Sequence, residues 1–169
     1  MIYFVTENYL KTQTPITANI DVNNIVPFIK TQSDMRIMPI LGTYFYNYIL
    51  TAYNDQTLSV DEEELVTYIQ PAIAWRSAED AAFGLSYQLK NKGIQTQNGD
   101  YSNNVSQGEV NFVQDHYAQK ASFYESRLWK YLDVNRELFA NFISQLNKDS
   151  DIRPAVQQTQ GFNDSILFL

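Results

Sequence analysis

SQGEVNFVQDHYAQKASFYESRLWKYL, residues 106–132, decides the fold. Val110, Val113, Tyr117, Ala121, Tyr124, Leu128 and Tyr131 recur in steps of three and four, the period of one helical face. Ser106-x-x-Glu109 in front of them fits a capping box, which fixes where the helix starts. A segment of about 24 residues makes a rod of roughly 36 Å. A rod with one apolar stripe needs partners of the same kind, so the chain is expected to be mainly α-helical.

The polar stretch just upstream, KNKGIQTQNGDYSNNVSQGE over 90–109, holds Gly93, Gly99 and Gly108. Asn98-Gly99 is a strong hairpin signal, because both turn positions need positive φ. Its flanks, 94–97 and 100–103, are weak strands. This predicts a β-hairpin near 93–105, projecting from the helical body because it is too polar to stand alone.

Further upstream, Ser59-x-x-Glu62 is a second capping box. It opens a long helix carrying Leu65, Tyr68, Ala72, Trp75, Ala78, Ala82, Leu85 and Leu89. Asp61, Glu62, Glu63 and Glu64 match the positive end of its dipole. Small residues from Ala72 to Gly84 would let another backbone approach closely. Asp21 caps a helix through Val22, Ile25, Val26, Phe28 and Ile29 that ends at Pro39 and Gly42. Thr43–Tyr53 follows as a helix apolar almost all round, expected to be buried or at an interface. Residues 1–20 read as an extended arm, with a β-prone Ile2-Tyr3-Phe4-Val5 and a break at Thr14-Pro15.

Downstream, Asn135–Asn147 is predicted to form another helix with Leu138, Phe139, Phe142, Ile143 and Leu146. After Lys148 the chain turns polar and ends in Ile166-Leu167-Phe168-Leu169, an apolar terminus expected to dock on something. The predicted architecture is a bundle of about four to five helices over 1–149. It carries a projecting β-hairpin and extended N- and C-terminal arms, the latter being the tail 150–169.

Composition bounds the function. With 169 residues, one domain with a sizeable core is expected. A net charge of −7 opposes a nucleic-acid binder that grips phosphates, though not a surface DNA slides past. There is no cysteine, hence no disulfide, thiolate metal site or thiol nucleophile. No run is long and apolar enough for a membrane span, and the N-terminus lacks signal-peptide character. Twelve tyrosines and ten phenylalanines hint at assembly, since aromatic rings suit half-buried and interface positions.

Catalytic candidates are few. His116 is the only histidine, mid-helix beside Asp115, with no motif around it. A di-iron bundle needs Glu-x-x-His on two helices, and Glu79, Glu109 and Glu125 lack that partner. Arg76, Glu79 and Asp80 form one charge cluster in an otherwise apolar helix. An intrahelical ion pair is the plainer reading, and a contact to a neighbouring subunit the sharper one. No phosphate-binding glycine loop occurs. The sequence argues for no enzyme, cofactor or metal.

Ile37-x-Pro39-x-Leu41-Gly42-Thr43, then Asn91-Lys92-Gly93-Ile94, Ser106-x-x-Glu109 and Tyr117-Ala118-x-x-Ala121-x-Phe123-Tyr124-x-x-Arg127-Leu128-x-x-Tyr131-Leu132 follow in order. Together they resemble phage head-to-tail connector proteins, the adaptor or ring-type group of crAss-like and other Bacteroidetes phages. The resemblance covers most of residues 10–132. It implies a structural virion protein of the neck, assembled in the host cytoplasm. Such a subunit forms a ring, commonly a dodecamer, docked on the portal protein. It meets tail or further neck proteins and lets DNA through without specific binding. Interface candidates on this reading are Arg76, Glu79 and Asp80 on the helix, Ile94 and Tyr101 on the hairpin, and Phe162, Ile166, Leu167, Phe168 and Leu169 on the tail. A helical protein-binding or regulatory module using its C-terminal tail as ligand is the alternative; an acid-based metal-dependent hydrolase has little support.

Overall fold

A computed structural model describes residues 3–17, 19–90, 93–96, 106–139 and 142. Its helices are α1 (Glu7–Gln13), α2 (Val22–Gln32), α3 (Met38–Leu41), α4 (Thr43–Asp55), α5 (Val60–Ser86) and α6 (Gln107–Val134). The two long helices, α5 and α6, run antiparallel: Tyr68 stacks on Tyr131 at one end and Trp75 meets Tyr117 farther along. α1 and α2 pack against α5.

Local chemistry sets most element ends. Asp21 accepts the Asn23 N–H at 2.9 Å and starts α2. Both capping boxes form: Ser59 with Glu62 before α5, and Ser106 with Glu109 before α6. Two hydrogen bonds from Ser106 to the Glu109 carboxylate hold its pKa below the ordinary value. Between α2 and α3 the helix widens into a π-turn, Ser33–Ile37, and buried Ser33 donates its hydroxyl to the Ile29 carbonyl at 2.7 Å. Gly42, with φ 78°, separates α3 from α4; at this left-handed angle glycine alone is unstrained.

The core collects the predicted stripes. Ile25 and Ile29 of α2, Phe45 and Ile49 of α4, Leu65, Ile69 and Ile73 of α5, and Leu128 and Leu132 of α6 are all buried. The small residues of α5 serve this core rather than an outside backbone: Ala72, Ala74, Ala78 and Ala81 are buried within the chain. Gly84 leaves room for the Phe28 ring.

The mainly helical bundle is as expected; three other expectations are corrected. First, the strand at 93–96 does not pair as the hairpin over 93–105 required, because its partner lies upstream. α5 stops at Ser86, whose hydroxyl turns back to the Ala82 carbonyl at 2.6 Å. Strand β1 (Tyr87–Lys90) follows, and β2 (Gly93–Thr96) pairs back onto it, Leu89 opposite Ile94 and Tyr87 opposite Thr96. The ladder takes up Tyr87–Lys90, a segment read as the helix end, whose apolar and polar residues alternate as in a strand. The Asn98-Gly99 turn and its second strand lie outside the described residues.

Second, the N-terminal segment is not an extended arm. Thr6 caps α1 through the Tyr9 N–H, and Phe4 is fully buried against Tyr46 and Tyr53. Third, the helix expected over 135–147 does not begin at Asn135: a 3-10 turn, Arg136–Leu138, follows α6, Phe142 is helical, and 140, 141 and 143–147 lie outside the described residues. Phe139 and Phe142 are nonetheless buried, both packed on Phe45. The tail 150–169 lies outside the described residues.

Candidate interaction surface

The charge cluster of α5 is an internal clamp. Arg76, only 8% exposed, reaches across to α6. Its Nε and Nη2 donate to Glu125 Oε1 and Oε2 at 2.6 and 2.8 Å, a bidentate pair. Nη2 also donates to Ser122 Oγ at 3.0 Å, and Nη1 to Glu79 Oε2 at 2.7 Å. The hydrogen bonding of Arg76 to Glu125 is the largest influence raising the Arg76 pKa, with Glu79 adding to it. The expected intrahelical pair with Glu79 therefore exists. The guanidinium also makes hydrogen bonds to Glu125 and Ser122 of α6 within the chain. Asp80 is engaged too, accepting from Gln32 Nε2 of α2 at 3.0 Å.

Glu125 and Ser122 are what sequence reasoning missed. A signal was present: Glu125 shares a helical face with Ala121, Leu128 and Leu132, all buried. An acid on an inward face demands a cation opposite it.

Of the other candidates, Ile94 lies in β2 opposite Leu89. Tyr101, Phe162, Ile166, Leu167, Phe168 and Leu169 lie outside the described residues. His116 is exposed on α6 beside Tyr117. Among the described residues, no group of three His, Cys, Asp or Glu side chains could hold a metal ion, and no helix is long and apolar enough to cross a membrane. An open groove of about 610 Å³ between the end of α4 and the start of α5 is lined by Tyr53, Asn54, Leu58, Glu63 and Gln70 among others. Of its lining only Glu63 carries charge, and Tyr53 is the other titratable group.

The most coherent surface feature is the outer face of α6. Phe112 is 75% exposed, Phe123 59% and Val134 73%. They are spaced at two intervals of eleven residues, and eleven residues make three helical turns to within about 20°. The three therefore form a line of roughly 33 Å along the helix, opposite the face that carries Ala121 and Leu128. Between them stand the exposed cations Arg127 and Lys130. The Arg127 guanidinium lies 5.2 Å from the Tyr68 ring centre and 5.9 Å from that of Phe123. About 16 Å of helix separates each from the next, so they form an aligned series of single apolar side chains rather than one continuous patch.

A family model, DUF6712, described as a family of unknown function, matches residues 37–152, which include the Arg76 clamp and the whole outer face of α6. No curated protein and no solved structure matches the chain.

Proposed function

Since the chain belongs to the DUF6712 family, whose description names no activity, we propose its function from its surface: it is a structural assembly subunit, a phage head-to-tail connector of the adaptor-ring kind. The observation that carries this is the pairing of a clamped, rigid helical rod with an uncovered apolar line on its outer side. A subunit held by Arg76 across α5 and α6 keeps its shape while it docks. The aligned Phe112, Phe123 and Val134 then have something to bury.

The acidic charge fits a channel element. Each copy carries −7, and a ring of such copies presents DNA with a repelling surface over which it slides without adhesion. The portal protein is the partner on which the ring assembles, and the resemblance described above supplies that identification.

The test is to mix the purified chain with portal particles from the same phage and image them by electron microscopy. A ring of density seated coaxially on the portal is the expected result. Bare portals at saturating concentrations of the chain would overturn the reading, whatever the oligomeric state of the chain alone.

A further inference from the structure

We propose that the outer face of α6 binds a second copy of this chain, head to tail, at the acidic start of the neighbour's α5. The inference deepens the subunit reading above and rests on it.

The argument begins with charge. From residue 116 to 132, α6 carries Lys120, Arg127 and Lys130 and a single acid, Glu125, which is turned inward on Arg76. Lys120 already lies over the Trp75 ring, 4.2 Å from its centre. Arg127 and Lys130 stand beside Phe123 with no ion-pair partner among the described residues. Exposed Asp115 and Asp133 flank this stretch, so the face is cationic only in its middle; that apolar, cationic middle, on a chain of net charge −7, complements a patch that is apolar and acidic.

The same chain owns such a patch. Val60, at the start of α5, is 81% exposed and is followed by exposed Asp61, Glu63 and Glu64. The two patches lie on different helices and carry opposite charge. When each copy donates its α6 face to one neighbour and accepts another at its α5 start, the union is heterologous, and such a contact gives a ring where its rotation closes. Pairing two α6 faces instead would bring two cationic stretches together, which like-charge repulsion opposes.

The absence of cysteine makes the test clean, because engineered thiols are unique. Phe123→Cys and Val60→Cys are prepared as separate full-length variants, one with a mass tag. Both positions are exposed, so the fold is retained, which circular dichroism checks. The two are mixed and treated with a short bismaleimide. The expected product is the mixed dimer, at least fivefold over either homodimer. Adding Arg127→Glu and Lys130→Glu to the first variant should lower its yield at least fivefold. Glu63→Lys and Glu64→Lys in the second should then restore it.

Homodimers alone, no cross-link, or a yield indifferent to the charge reversals would each overturn the proposal. An intramolecular cross-link in a Phe123→Cys, Phe168→Cys double variant would do the same, by showing that the chain's own terminus covers the face. A ring seen on portal particles without the Phe123–Val60 cross-link would sink this contact and leave the connector reading standing. Cross-linked chains that leave portals bare would do the reverse.

Discussion

Arg76 of α5 and Glu125 of α6 are joined by two parallel hydrogen bonds of 2.6 and 2.8 Å, deep enough that the arginine is almost out of water. Removing one partner of such a pair leaves the other charge poorly solvated, and that penalty exceeds the worth of the pair itself. Glu125→Ala should therefore destabilise the fold by about 3 kcal/mol. Replacing both groups by apolar ones, Arg76→Met with Glu125→Leu, should bring stability back to within about 1 kcal/mol of the original. Urea unfolding midpoints at unchanged slope measure both. Equal losses in the single and double variants would show that the clamp is not a coupled unit.

Gly84 and Phe28 form a second tie, between α5 and α2. A Cβ on Gly84 would come within 2.5 Å of the Phe28 ring, so the ring must move if any side chain is added. Helix propensity favours Gly84→Ala by about 1 kcal/mol. Overpacking costs about 1–3 kcal/mol. The steric term wins, and Gly84→Ala should lose about 1 kcal/mol net. In a Phe28→Leu background the same change should become stabilising. A double-mutant cycle reads this directly as a change of sign.

The long helices were legible because their information is local. Val110 to Tyr131 keep the helical period, and Ser106 with Glu109 sits within one turn of the helix it starts. Gly42 likewise declared its own positive φ. What sequence could not show depends on residues far apart. Gln70 donates to the Phe4 carbonyl at 2.9 Å across 66 positions, and nothing near Phe4 announces that. Its neighbours Tyr3 and Val5 are β-prone, so the segment read as an arm. The strand partners were misplaced for a related reason. Asn98-Gly99 is a strong local turn signal, but the ladder uses Tyr87–Lys90, whose alternation was masked by the helix running into it. At the candidate surface, Arg76 was visible and its Glu79 partner was too. Glu125 was not, because only the packing of α6 on α5 brings it near. The eleven-residue line of Phe112, Phe123 and Val134 stood in the sequence throughout. Its meaning required knowing which face of α6 was already used.

Tyr46 gives the fold a limit at alkaline pH. Burial raises its phenol pKa from 10.0 to about 12, with Asp34 adding to the shift and a hydrogen bond with Ser33 opposing it. The folded chain thus keeps its proton where the unfolded chain has lost it. The stabilisation is complete below pH 10 and disappears as pH rises from about 10 to 12. At most about 3 kcal/mol depends on this one group. Unfolding followed by circular dichroism over that range should be shifted to higher pH by Tyr46→Phe, which cannot ionise. An unshifted alkaline transition would place its origin elsewhere.

Phe4 tests the most consequential correction, that the N-terminal segment is part of the core. Its ring is fully buried, 5.5 Å from the ring centre of Tyr46 and 5.7 Å from that of Tyr53, while its carbonyl accepts from Gln70 of α5. An extended arm that docks only on assembly would tolerate truncation of this ring in the isolated chain. A core residue would not: Phe4→Ala opens a cavity between α4 and α5 and should cost about 3–5 kcal/mol. The exposed Phe112→Ala is the matched control and should change stability by less than about 0.5 kcal/mol. Denaturant midpoints of the two variants in the absence of any partner decide the matter. If Phe4→Ala proved as mild as Phe112→Ala, the N-terminal segment would be an arm after all. Its burial would then belong to the assembled state rather than to the single chain.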